Sequence, residues 1–119
     1  MKNKKMNLEI TKITNKNNRE TIFLTARADI NLKDYVIYDT TFAADGKLSN
    51  KGRHVFPFPE LEVKSNQQIF LVITSNIKMK KPLTFYWHRK SSVINNTGDH
   101  LVLLKIENKQ NFLMAPQGR

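Results

Sequence analysis

Apolar and polar positions alternate along this chain in short bursts, and clusters of turn-forming residues separate the bursts. Residues 21–28 (TIFLTARA) put Ile22, Leu24 and Ala26 on one side and Phe23, Thr25 and Arg27 on the other. That period of two marks a half-buried strand. Residues 8–13 open with the same spacing at Leu8 and Ile10, then break at the polar turn 14–18 (TNKNN). Residues 35–41 (YVIYDTT) and 53–58 (RHVFPF) are rich in β-branched and aromatic side chains, with Pro57 and Pro59 confining the second to a sheet edge or an early end. Residues 69–74 (IFLVIT) are almost continuously apolar, as in a strand at the centre of a sandwich. Residues 83–87 and 101–106 complete the set, and residues 111–114 are a candidate for a last short strand. In the polar break at 29–34, Leu32 is an expected anchor; Ser65-Asn66 reads as a turn.

No window sustains apolar residues at the i, i+3, i+4, i+7 spacing of an amphipathic helix with caps around it. Short strands at turn-punctuated intervals predict an all-β fold, an immunoglobulin-like antiparallel β-sandwich of about 7–9 strands. One domain is expected over residues 7–114, between a basic leader, 1–6, and a tail, 115–119.

The stretch 84–107 is the most distinctive. Tyr86-Trp87 is followed by Val93-Ile94-Asn95-Asn96-Thr97-Gly98-Asp99 and then Leu101-Val102-Leu103-Leu104. It resembles the Trp, Asn-x-Gly-Asp and apolar strand of the lamin tail domain, the immunoglobulin-like sandwich of nuclear lamins and of modules in many bacterial proteins. Residues 20–24 (ETIFL) with 30–39 (INLKDYVIYD), and residues 52–59 (GRHVFPFP), are similar to earlier strands of that family. The likeness covers roughly residues 20–111. Lys33-Asp34-Tyr35 stands where the family usually has Gly-Trp, Ala26-Arg27 where an Asn is common, and Ser65-Asn66 replaces a Pro-Gly type of turn. These departures suggest a divergent bacterial member. The resemblance implies an interaction module: in lamins for chromatin, DNA and envelope proteins, in bacteria attached to hydrolases or surface proteins. It also implies structural roles for Trp87, Asn96, Gly98 and Asp99. Gly98 suits a positive-φ turn position, and Asn96 and Asp99 suit hydrogen bonds that hold such a turn. Contact of Asn96 or Asp99 with a ligand or ion is the other open role.

Charge sharpens the picture. Lys and Arg number 20 against 10 Asp and Glu, a formal net of +10. Such a balance favours anionic partners such as nucleic acid, an acidic protein or anionic lipid headgroups; the competing reading is that a Lys-rich surface, or a Lys/Asn-rich coding bias, serves solubility alone. Between Val63 and Gly98 there is no acidic residue, while Lys78, Lys80, Lys81, Arg89 and Lys90 fall there. The two groups bracket the strand at 83–87, so they would lie about 20–25 Å apart at ~3.3 Å per residue. Lys47, Lys51 and Arg53 form a third group. Phosphate contacts through these residues are expected to be salt-sensitive and indifferent to base sequence. Tyr86 and Trp87 could add stacking, with a place in the core the expected role of Trp87.

Candidate chemistry adds little. His54, His88 and His100 lack metal-ligand spacing and read as solvated strand-end residues, so no metal is expected. Ser91 or Ser92 with a His and Asp99 has no nucleophile elbow around it, and Glu60 and Glu62 stand in a solvated loop. There is no Gly-rich phosphate loop and no cysteine. The expectation is a non-enzyme with no cofactor. No apolar run matches a signal peptide or a membrane helix, which places the chain in the cytoplasm as given, or outside after removal of an upstream signal. The competing expectation is a structural module that assembles through the sandwich edges, its oligomeric state open.

Overall fold

A computed structural model describes residues 6–16, 19–40, 54–74, 81–88 and 100–113. Among them are nine strands and one 3-10 turn: β1 Leu8–Lys16, β2 Arg19–Ala26, β3 Ile30–Asn31, the turn Leu32–Asp34, β4 Tyr35–Thr40, β5 His54–Pro57, β6 Glu62–Val63, β7 Gln68–Thr74, β8 Thr84–His88 and β9 His100–Lys105. They form a four-stranded sheet β1-β2-β7-β8, a three-stranded sheet β5-β4-β9 and the small ladder β3-β6. The fold is an all-β sandwich. Among the described residues no helix is long and apolar enough to cross a membrane.

The two larger sheets face each other across one core. Ile22, Leu24, Ile69, Leu71, Ile73 and Trp87 come from the four-stranded sheet, and Tyr35 and Ile37 from β4. Alternation in β2 and β7 turns these side chains inward and leaves Phe23, Phe70 and Val72 on the opposite surface. At one end the core is aromatic: Phe56 meets Phe58 at 5.2 Å and Trp87 at 5.9 Å between ring centroids, and Phe58 meets Phe85 at 5.7 Å. Offset and edge-on pairs of this kind add to the area they bury. In β9 the inward residues are Leu101 and Leu103, while Leu104 is half exposed.

Leu32 is fully buried. Its backbone N–H donates to the Leu61 carbonyl at 2.9 Å, and Asn31 Oδ1 accepts from both Lys33 N and Leu61 N at 3.1 Å. This polar clip turns the chain from the short ladder into β4. Asn66 takes a positive φ of 74° in its turn, a conformation asparagine tolerates better than most residues.

Three features depart from the sequence-based expectation. Residues 111–113 form no strand, and the two-residue strands β3 and β6 were not anticipated. One of the six pairings, β7 with β8, is parallel. The chain enters β8 through Pro82 and Leu83, where Leu83 sits at φ 57° and its carbonyl accepts from Phe70 N at 2.9 Å. A left-handed leucine costs roughly 1–2 kcal/mol, and here it lies beside the partly buried packing of Leu83 on the core. Third, His54 is not a solvated strand end. Asp39, only 2% exposed, accepts from His54 N at 2.7 Å, and both its oxygens lie 3.0 Å from His54 Nδ1. A carboxylate oxygen has no proton to give, so the imidazole nitrogen is the donor.

Candidate anion-binding sheet face

The outer surface of the four-stranded sheet owes its character to one irregularity. In strict alternation, Leu8, Ile10, Lys12, Thr14 and Lys16 would all share a face, and two lysines would point into the core. Instead the register slips between Ile10 and Lys12: Ile10 stands opposite Leu24 and Lys12 opposite Phe23. Thr11 is the extra residue of this bulge, and its hydroxyl donates to the Phe23 carbonyl at 3.2 Å. The slip reverses the parity of the strand. Leu8 and Ile10 stay inward; Lys12, Thr14 and Lys16 turn out.

Register then assembles the face. Lys12, Phe23, Phe70 and Thr84 form one cross-strand row, and Thr14, Thr21, Val72 and Tyr86 the next. Lys16 stands opposite Arg19 at the end of the first hairpin, both exposed. Two shallow grooves run over this surface. One, of about 470 Å³, is lined by Lys12, Thr14, Lys16, Arg19, Thr21 and Phe23. The other, of about 370 Å³, is lined by Arg19, Thr21, Phe70, Val72, Lys81, Thr84 and Tyr86. Arg19 and Thr21 belong to both, so the two form one path across the sheet.

Among the described residues the electrostatics have one sign, and no carboxylate of theirs lines either groove. Glu9, farther along β1, is held by Arg27, whose Nε donates to Glu9 Oε1 at 3.1 Å. Glu20 points to the inner side, where it is buried. The ion pairs among the described residues involve none of Lys12, Lys16, Arg19 and Lys81. Lys16 and Arg19, like charges directly across a ladder, repel each other and weaken the hairpin end. The Lys12 ammonium lies over the Phe23 ring, 5.4 Å from its centroid. In the central strands β2 and β7 the backbone carbonyls are used in the ladders, so the side chains presented across the grooves are cations, threonine hydroxyls and apolar or aromatic groups.

Of the cations singled out from sequence, Lys81 is exposed and lines the second groove. Tyr86 lines it too, and its neighbour Trp87 is buried in the core at 5% exposure. Lys47, Lys51, Arg53, Lys78, Lys80, Arg89, Lys90, Asn96, Gly98 and Asp99 lie outside the described residues. Lys12, Lys16, Arg19, Phe23 and Phe70 were not recognised from sequence. Phe23 and Phe70 did carry a signal, each being an aromatic on the polar side of its strand. No group of three or more metal-ligating side chains occurs among the described residues. Comparison with family models, with curated proteins and with solved structures finds no match for this chain.

Proposed function

We propose that the chain is a non-catalytic, lamin-tail-like binding module whose basic sheet face engages an anionic polymer, nucleic acid first. The observation that carries this is a continuous surface of four cations, Lys12, Lys16, Arg19 and Lys81, with no carboxylate among the described residues that line it. A fold gains nothing in stability from setting Lys16 against Arg19, so the pair makes sense as half of an interaction whose other half is a phosphate. The sequence motif around Trp87 and the all-β sandwich favour the lamin-tail assignment.

Fluorescence anisotropy with labelled DNA at 50 and 200 mM salt tests it. Four neutralised phosphates give a log–log salt slope near −0.9 per contact, so affinity for duplex should fall about 150-fold over that range. Lys12→Glu with Arg19→Glu should abolish binding. Lys33→Glu with Lys109→Glu changes net charge equally but lies off this sheet, and should cost far less. Equal losses in the two double variants would reduce the interaction to bulk charge, and absence of binding at 50 mM salt would refute the proposal.

A second reading, assembly through protein contacts, has an observation of its own. The outward residues of the three-stranded sheet are Val36 and Tyr38, flanked in register by Val55, Pro57, Val102 and Leu104. None is charged, and Val55 and Leu104 are 57% and 49% exposed. Two copies stacked on this face would keep their basic faces outward. Light scattering from 5 to 500 μM (about 0.07–7 mg/ml by mass) distinguishes the readings: a dimer that Val55→Lys dissolves would favour assembly.

A further inference from the structure

We infer that the anionic polymer is a single-stranded nucleic acid, held by stacking of its bases on Phe70, Tyr86 and Phe23. The inference rests on the binding role proposed for this face and narrows its ligand. It begins from an oddity of packing. Phe23, Phe70 and Tyr86 stand on the outer surface, and none belongs to the core cluster or to the apolar residues packed against it. Phe23 and Phe70 lie opposite each other in register and meet edge-to-face at 5.3 Å between centroids. Large rings on the solvent side of a sheet need a reason, because they add an aggregation risk without filling the interior.

The ligand chemistry follows from what lies between the rings. Among the described residues, cations and threonine hydroxyls line the grooves beside them, and no carboxylate does. A matching ligand therefore presents flat apolar faces and negative charges in alternation. Nucleic acid has that pattern, and an acidic peptide or a polyphosphate lacks the faces. Lys12 over Phe23 shows the two halves of the site meeting at one point: a planar base arriving on that ring displaces the ammonium, which is then placed to take the adjoining phosphate. The two grooves join through Arg19 and Thr21, so the path suits a strand of several nucleotides rather than one mononucleotide. Duplex DNA and RNA keep their base faces stacked inside, and could use only the cations. Stacking on a ring tolerates any base, so the preference is for strand over duplex rather than for a sequence.

The test uses anisotropy with three labelled probes at 50 mM salt: oligo-dT of twelve nucleotides, a twelve-unit abasic strand of the same charge, and a twelve-base-pair duplex. Oligo-dT should bind at least about tenfold more tightly than the abasic strand, since each stacked base contributes well over that factor in favourable cases. Phe70→Leu with Tyr86→Leu should take away most of the advantage of oligo-dT over the abasic strand, leaving only what Phe23 supplies. Circular dichroism shows whether the variant keeps its fold, and the abasic comparison needs no variant at all. Equal affinity for oligo-dT and the abasic strand, or a duplex that binds more tightly than oligo-dT, would overturn the inference and leave the anion-binding face standing. Failure of all three probes to bind would remove the binding role itself.

Discussion

Lys16→Glu should make the protein more stable and a poorer binder at once. In the native chain Lys16 and Arg19 face each other across the β1–β2 ladder, exposed at the hairpin end. Two unit charges 4 Å apart in bulk water interact by about 1 kcal/mol, and exposed pairs with long side chains realise only part of that. Converting a repulsive pair into an attractive one should therefore gain about 0.5–1 kcal/mol in all. For a domain of this size that is a rise of about 2–5 °C in Tm. Urea melts and calorimetry at 20 mM and 1 M salt measure it, and the gain should shrink towards zero at 1 M, where the Debye length is about 3 Å. Lys16→Glu with Arg19→Glu recreates a like-charge pair and should return the stability to the native level. Binding should move the other way, with the salt slope of a single strand falling by about 0.7 for the lost contact. A destabilised Lys16→Glu protein, or equal stability of the single and double variants, would refute the claim that this pair is held against its own repulsion.

Other expectations concern the frame that supports the face. Tyr35 is 1% exposed and its hydroxyl has no hydrogen-bond partner, so Tyr35→Phe should raise stability by about 1 kcal/mol in urea melts at pH 7. Burial, then the charges of Asp34 and Glu107, push the Tyr35 phenol above its ordinary value of 10.0. The unfolded chain thus loses that proton first: stability is intact below pH 10, falls above it, and is lost as pH passes the raised folded value. Melts from pH 8 to 11 should show a shallower alkaline decline in Tyr35→Phe than in the native chain. Asp39→Ala strands the His54 N–H groups in a half-buried site and should cost about 2–3 kcal/mol, with Asp39→Asn costing less. Deleting Thr11 takes out the unpaired residue and leaves Ile10 opposite Leu24 and Lys12 opposite Phe23, so Lys12 and Lys16 stay outward; urea melts and DNA anisotropy of the deletion should both stay close to the native chain.

What could be read from the sequence divides along physical lines. The strands β2 and β7 were legible because one alternates cleanly and the other is apolar throughout. The ladder β3-β6 was not, since two residues carry no period. Strand direction has no local signature, so the parallel placement of β8 came only with the structure. In β9 the run Leu101-Val102-Leu103-Leu104 is apolar on both sides, and packing alone selects Leu101 and Leu103 for the core. The basic sheet face was hidden for a related reason. Lys12 and Lys16 sit at the same parity as Leu8 and Ile10, so alternation points them inward, and only the bulge at Thr11 reverses this. The cations that do cluster in sequence are conspicuous, but of those only Lys81 falls among the described residues and on this face. The Asp39–His54 pair is equally a product of register, with 15 positions between its members.

The same bulge explains how the outer rings are tolerated. Without it, Thr11 would stand opposite Phe23 and Ile13 opposite Thr21, leaving Phe23 and Phe70 on an uncharged part of the sheet surface next to an edge strand that invites pairing with another chain. With it, Lys12 covers Phe23, and Lys16 and Arg19 stand at the corner of the same surface. Positive charges on an edge strand and over half-buried outer rings oppose association between copies, each of which carries the same +10 excess. They do not oppose a polyanion; they attract it. One local irregularity thus separates two uses of an apolar surface that would otherwise conflict. The guarded basic sheet is closed to its own kind and open to phosphate, while the uncharged outer face of the three-stranded sheet has no such guard among its paired residues. If copies of this chain do associate, charge places the contact there, on the side of the sandwich away from the grooves, where dimerisation would double the binding surface rather than bury it.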